Sequence, residues 1–434
     1  MSVRVRARTI VAGFGCFLTL AYALRPGAAL LSIGLLALLQ ALVLAVGFHL
    51  RPVRRALLIG LSFTVAFFFG ELLAQRAWPI APHRILPLAG SPVEKLYLPD
   101  PELGLVMAPG FQGYFMHPEY RRESFETNSL GFRGPEWLPD LQTNAPRLLL
   151  LGDSTAIGFG VDQGQTIGAL LESKLQAEIP GARVFDGAQA GFGPRHERVL
   201  LERLADRVRP TQVVVIFYDG NDLQNCRAQF VLARKNGQHD QRLPSEGPGP
   251  DRTPTPSRPP SLLSRWYWSH RSALYHRVET LLLPWLVTNG VIKHHAYGGI
   301  LRLTQRPMGP AVQEEFDLAW EAIVEMNERA RQLGAGFLFV RMPMRVQTEL
   351  QSFERLVKMY DLDPAQQDRV QPGGALVDAC RERGIPVLDL LPLFETSGPD
   401  PNRHYYQEGH PNDLGNRLTA DQIGSFLLEN GFFN

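Results

Sequence analysis

Four short stretches of the chain carry residue types able to do covalent chemistry: Gly152-Asp153-Ser154-Thr155, Gly187-Ala188-Gln189-Ala190-Gly191, Gly220-Asn221-Asp222 and His410-Pro411-Asn412. A serine hydroxyl is a weak nucleophile until a base takes its proton, and imidazole is the side chain suited to that near neutral pH. Of the 11 histidines, His410 is singled out because it follows the last expected strand and precedes a helix. Acyl transfer also needs donors aimed at the oxygen that becomes negative. A backbone N–H beside a small residue such as Gly191, with the side-chain amide of Asn221, meets that need. Each residue has a plainer reading: a capped strand-to-helix turn at 152–155, a loop glycine at 191, a turn residue at 221, a helix-entry residue at 410. Their recurrence at one strand end after another favours the chemical reading.

The elements that must position them follow from hydrophobic patterning. Arg147-Leu148-Leu149-Leu150-Leu151 is a continuous apolar run closed by Gly152, the signature of a strand buried on both faces of a parallel sheet. Helical spacing of Ile167, Leu170, Leu171, Leu175 and Ile179 predicts a helix over 166–179. A short strand at 183–186, a helix over 194–208 and an apolar strand at 212–217 follow. The rhythm resumes with a helix over 312–333, strands at 336–340 and 386–389, a helix near 375–383 and a last helix over 414–429. Such alternation builds a parallel sheet covered by helices on both faces, with ligands outside the carboxyl ends of the strands.

Net charge is +1, but no acidic residue precedes Glu71 while seven arginines do, so residues 71–434 hold 37 basic and 43 acidic residues, a formal charge of −6. A mildly acidic body argues against nucleic acid as a partner. Residues 10–24, 28–50 and 56–74 are apolar stretches separated by Arg25-Pro26 and Arg51-Pro52-Val53-Arg54-Arg55. Crossing ~30 Å of hydrocarbon takes roughly 20 helical residues, so the second and third suffice and the first is short. The first also reads as a signal peptide, with Ala21-Tyr22-Ala23 as a cleavage site. The arginines place the N-terminus and the 51–55 loop in the cytoplasm and everything after Arg76 on the outer side, with Glu71 at the interface.

Residues 77–146 are rich in Pro, Gly and aromatics and read as a collar of turn-punctuated short strands, including 97–104 and 128–134. Arg133 within it is a substrate-binding cation, a locally paired one or one that sits in solvent. A Pro-rich insertion near 236–262 cannot form a core, and an aromatic helical stretch covers 261–292. His294-His295 has no neighbouring ligand partners, so no metal is expected there. Cys16, Cys226 and Cys380 have no metal spacing, and a Cys226–Cys380 bridge stays open. No lysine follows Gly152 to Gly160 as a phosphate-binding loop requires, and no Gly-x-Gly-x-x-Gly fits there, so no nucleotide cofactor is expected.

Taken together, Gly152-Asp153-Ser154, Gly191, Gly220-Asn221-Asp222 and His410-Pro411-Asn412 resemble the four blocks of the SGNH (GDSL-like) hydrolase family, in order, over roughly residues 95–430. The resemblance implies an α/β fold, a flavodoxin-like three-layer sandwich with a parallel sheet at 147–434, here preceded by about three transmembrane helices within 1–76. It implies ester hydrolysis through an acyl-enzyme, with Ser154 as nucleophile and His410 as base. The N–H groups of Ser154 and Gly191 and the amide of Asn221 would form the oxyanion hole. The family commonly has an aspartate three residues before the histidine, where this chain has Gln407. Glu408 is assigned in its place to orient the imidazole, and triad against dyad stays open.

The expected protein is thus a membrane-anchored serine esterase or deacylase of a bacterial inner membrane, its large domain periplasmic or extracellular. It needs no cofactor or metal, and its partners are acylated envelope molecules, glycans or lipids. An O-acyltransferase using the same Ser/His site, or a catalytically silent envelope-assembly protein, are the alternatives.

Overall fold

The computed structural model describes residues 62, 65–66, 69–73, 76, 84–88, 93–116, 123–137, 145–235, 286, 295–396, 404–406 and 409–433. The chain divides into two compact units, residues 1–82 with 246–285 and residues 83–245 with 286–434. The described residues of the first unit are helical; Phe69, Leu72 and Leu73 are exposed there, whereas Glu71, expected at an interface, is fully buried. Among the described residues no helix is long and apolar enough to cross a membrane. The apolar segments at 10–24 and 28–50, and much of 56–74, lie outside them, as do the Pro-rich insertion, His294 and nearly all of 261–292.

In the second unit, the strands β1 (Arg84–Pro87), β2 (Tyr97–Asp100), β3 (Gly104–Met107), β4 (Gln112–Met116) and β5 (Glu123–Glu126) precede the main sheet. That sheet comprises β6 (Arg147–Leu151), β7 (Arg183–Asp186), β8 (Gln212–Tyr218), β9 (Gly336–Met342) and β10 (Val387–Asp389). The helices that matter are α1 (Ser154–Ile157), α2 (Ile167–Glu178), α3 (Pro194–Val208), α4 (Asp222–Lys235), α5 (His295–Leu303), α6 (Pro310–Gln332), α7 (Leu350–Met359), α8 (Gly373–Arg383), α9 (Leu391–Thr396) and α10 (Asp413–Glu429).

The sheet order is β7-β6-β8-β9-β10, every neighbouring pair parallel. Numbered along the chain this is the 2-1-3-4-5 arrangement of flavodoxin-like folds, whose strand order reverses between the first and third strands, here β6 and β8. Successive side chains of a strand point to opposite faces, so a strand buried on both sides must be apolar throughout. Leu149, Leu151, Val213, Val215 and Phe339 accordingly pack with α3, α6 and α8, while Leu148, Leu150, Val214, Ile216 and Val340 pack with α2 and α10. The result is three layers, helix, sheet and helix. Cys226 and Cys380 are both buried and free, which answers the question of a bridge.

The collar belongs to this same unit. It forms an antiparallel sheet β1-β4-β5 and a hairpin β2-β3. Residues 128–134, expected as a strand, instead form a turn held by Asn128, whose Oδ1 accepts from the N–H groups of Leu130 and Phe132 at 2.9 and 3.1 Å. Two buried side chains fasten this turn to the segments that follow β6 and β7. Gln189 accepts from Met107 N–H at 2.8 Å and donates to the Gly131 carbonyl at 3.0 Å. Arg133 donates to the carbonyls of Ile157 at 3.2 Å, Val161 at 2.7 Å and Gly158, and lies over the Phe125 ring. It is therefore a locally paired cation rather than one offered to a substrate.

Helix ends leave carbonyls without intrahelical partners, and a buried one must find a donor. Arg133 supplies that donor for the short helix that carries Ser154. Arg133→Met should cost about 3 kcal/mol of stability, because it strips charged donors from dry carbonyls; chemical denaturation checks this, with an unchanged midpoint counting against it.

Candidate active site

Ser154 is placed by what surrounds β6. Gly152 ends the strand where a Cβ would come 2.8 Å from the Ala156 Cβ and 3.2 Å from the Ile216 carbonyl oxygen, so only glycine lets the turn pack this tightly on β8. Asp153 caps α1, its Oδ1 accepting from the N–H of Thr155 at 2.8 Å and from its hydroxyl at 2.7 Å. Ser154 is the first residue of α1, where free N–H groups and the helix dipole favour negative charge. Its hydroxyl lies 3.4 Å from Asp153 Oδ2 and 2.9 Å from His410 Nε2.

His410 reaches that point from a loop braced on three sides. Tyr405 donates its hydroxyl to the Pro343 carbonyl at 2.6 Å, and Tyr406 to that of Gly160 at 2.7 Å. Tyr406 N–H bonds the His410 carbonyl at 2.9 Å, and Asn412 N–H that of His404 at 2.9 Å. Asn412 then caps α10 by accepting from Leu414 and Gly415 N–H. Phe159 meets the imidazole edge-on, ring centroids 5.5 Å apart. Gln407 and Glu408 lie outside the described residues.

Gly191 and Asn221 stand at the ends of the two strands that flank β6. Gly191 is exposed with a left-handed φ of +76° and nothing within 4 Å of where a Cβ would be. Behind it Phe192 stacks on His196 at 4.6 Å, and His196 Nδ1 accepts from Gly193 N–H at 3.3 Å. Burial, and secondarily Arg195, pushes that imidazole down to about 4, which keeps it neutral and able to accept. A Cβ on Gly193 would fall 2.5 Å from the Asp222 carbonyl oxygen, so the starts of α3 and α4 touch. Asn221 is half-buried, and its Oδ1 has no hydrogen-bond partner among the described residues. Asp222 Oδ2 accepts from Tyr218 N–H at 2.8 Å, closing the turn between them.

Two features had not been singled out from the sequence. One is a buried cation on β9, Arg341, joined to Asp219 just before Gly220-Asn221; a charge inside an otherwise apolar strand was the available signal. The other is a set of carboxyl groups near Asp153. Glu197, in the first turn of α3, is fully buried and neither of its oxygens has a partner among the described residues. Burial first, and then the Asp153 charge, pushes the Glu197 and Asp222 carboxyls well above the ordinary carboxylate range.

The sign of the consequence is fixed by linkage. A carboxyl that holds its proton more tightly when folded contributes stability fully below its unfolded pKa of about 4, and that contribution is lost as pH rises toward the folded value. Thermal denaturation from about pH 5 to about pH 9 should therefore show a falling midpoint, and Glu197→Gln should flatten that fall. An identical slope in the variant would remove Glu197 from the account.

Residues 150–418 match the GDSL-like Lipase/Acylhydrolase family, more than half of the chain. No curated protein matches it. Among solved structures, TesA is 16% identical, with 64% of this chain and 97% of that chain covered and a TM-score of 0.32. An alpha/beta hydrolase from the metagenome of Lake Arreo, Spain, is 13% identical, covering 67% and 98%, TM-score 0.33. The psychrotrophic esterase EstA from Pseudoalteromonas sp. is 10% identical, covering 65% and 96%, TM-score 0.30. With Ser154 and the late histidine both inside the matched span, the chain belongs to the GDSL-like lipase/acylhydrolase (SGNH) family and is a serine ester hydrolase.

Proposed function

We propose that the protein is a membrane-anchored serine esterase or deacylase acting on acylated cell-envelope molecules through an acyl-enzyme. The observation that carries the chemistry is the 2.9 Å approach of His410 Nε2 to Ser154 Oγ, between residues 256 positions apart in the chain. In this reading His410 takes the Ser154 proton as Oγ attacks the ester carbonyl, and returns it to the departing alcohol. The N–H groups of Ser154 and Gly191 and the Asn221 amide receive the oxyanion. Water, deprotonated by His410, then releases the acid. Glu408 is assigned the task of holding the imidazole by its other nitrogen.

Placement rests on the N-terminal apolar stretches and their arginines, which put the catalytic domain on the periplasmic or outer side of a bacterial inner membrane. The exposed Phe69, Leu72 and Leu73 on the helical residues before Arg76 are in keeping with an apolar surrounding. From that location we take O-acetylated glycans ahead of lipids as substrates.

Purified full-length protein should hydrolyse p-nitrophenyl acetate and label with a fluorophosphonate at Ser154. Both should vanish in Ser154→Ala, and His410→Ala should lose at least ~1,000-fold in kcat. Asn221→Ala should lose ~100- to 1,000-fold in kcat with KM little changed. Wild-type protein that never labels, together with a cellular phenotype indifferent to Ser154→Ala, would sink the enzyme reading. Acyl transfer to an added oligosaccharide in preference to water would replace hydrolase by acyltransferase.

A further inference from the structure

Arg341 is the largest fully buried polar side chain among the described residues, with no exposure at all. Removing a guanidinium from water costs several kcal/mol unless its donors are matched, so its partners show what the fold gains from it. Nε and Nη2 both donate to Asp219 Oδ2, at 3.0 and 2.7 Å. Nη1 faces both Asp389 carboxylate oxygens at 3.3 Å, and Nη2 also donates to the Val370 carbonyl at 2.6 Å. Gln347 adds a third donor to Asp219 Oδ2 at 2.7 Å and bonds the Arg369 and Gln371 carbonyls at 3.0 and 2.9 Å. Gly373 closes the hub, since a Cβ there would lie 2.0 Å from Asp219 Oδ1.

The hub holds the turn that presents Asn221. Asp219 is two residues ahead of Asn221, and its own N–H bonds the Met342 carbonyl at 3.1 Å. Gly220 between them lies so close to the Tyr218 ring that a Cβ would come within 2.4 Å of it. Asp222 on the far side is tied back to Tyr218 N–H. Asn221 thus stands between two tied-down neighbours, Asp219 and Asp222.

We propose that Arg341 is a positioning residue of the ester-hydrolysing site: by clamping Asp219, with Gln347, it aims the Asn221 amide at the oxyanion. This inference rests on the esterase reading and adds a residue that the four sequence blocks do not contain. A side chain that acts only through Asn221 has nothing to contribute once the amide is gone, so its effect and that of Asn221 must fail to add.

The experiment is a double-mutant cycle on p-nitrophenyl acetate with the full chain. Arg341→Lys keeps the charge and loses the fork; it should lower kcat ~10- to 100-fold, as small misplacements of catalytic groups do, with KM within about two-fold. In an Asn221→Ala background the same substitution should change kcat by less than about two-fold. Gln347→Met carries the same cycle should Arg341→Lys not fold. Losses that multiply across the cycle, or a folded Arg341→Lys with wild-type kcat, would overturn the inference while leaving the esterase intact. Absence of Ser154-dependent hydrolysis in the wild type would overturn both.

Discussion

The constraint on which the site depends is the close packing at Gly152. The first strand of the main sheet is dry on both faces, so the chain leaving it must turn without lifting away from its neighbour β8, and the missing side chain makes that possible. Ser154 sits at the rim because the turn is short, and α1 is short because Gly158 ends it in a left-handed conformation. Arg133 then satisfies the carbonyls that a four-residue helix cannot satisfy itself. Ser154, its turn and its cap form one assembly whose parts come from 130–161.

Parallel pairing does the rest of the convergence. Because β7, β6 and β8 run side by side in the same direction, their carboxyl ends share an edge, and three helices start there: α1, α3 and α4. Each helix start carries a partial positive charge, which suits an oxyanion but makes a poor dry interior. Asp153, Glu197 and Asp222 stand within or beside those first turns, and burial, then the neighbouring carboxylate charge, pushes the last two well above the ordinary carboxylate range.

The sheet was legible in the sequence because its longer strands are apolar runs, Arg341 apart, that stop at turn residues; the observed strands coincide with the expected ones to within a few residues. The placement of the candidate residues was legible where it depends on a strand end, as at Ser154 and Asn221, or on a helix entry, as at His410. What could not be read were partners fixed only by the tertiary arrangement. Arg341 pairs with a residue 122 positions away and Gln189 with backbone 58 and 82 positions away, and no local pattern announces either. The expected strand at 128–134 failed for a related reason: Asn128 bonds its own following N–H groups, and such side-chain turns compete with strand pairing.

The collar takes on a different standing once these partners are known. Read as sequence it is a Pro- and Gly-rich connector between an apolar N-terminal segment and a catalytic fold. In the structure Gln189 joins Met107 and Gly131 to the loop that leads to Gly191, while Arg133 joins the same turn to the end of the Ser154 helix. Phe115 and Phe125 pack on Phe159, the ring that meets His410 edge-on. The collar thus touches the backing of three of the four sequence blocks, each time through buried groups that must be matched on both sides to be tolerated. A connector would need none of these contacts, and a hydrolase domain taken from residue 147 onward would expose Phe159 and leave the carbonyls at 157, 158 and 161 without their donor. The boundary of the catalytic fold therefore lies ahead of β2, where the chain first commits buried side chains to the sheet.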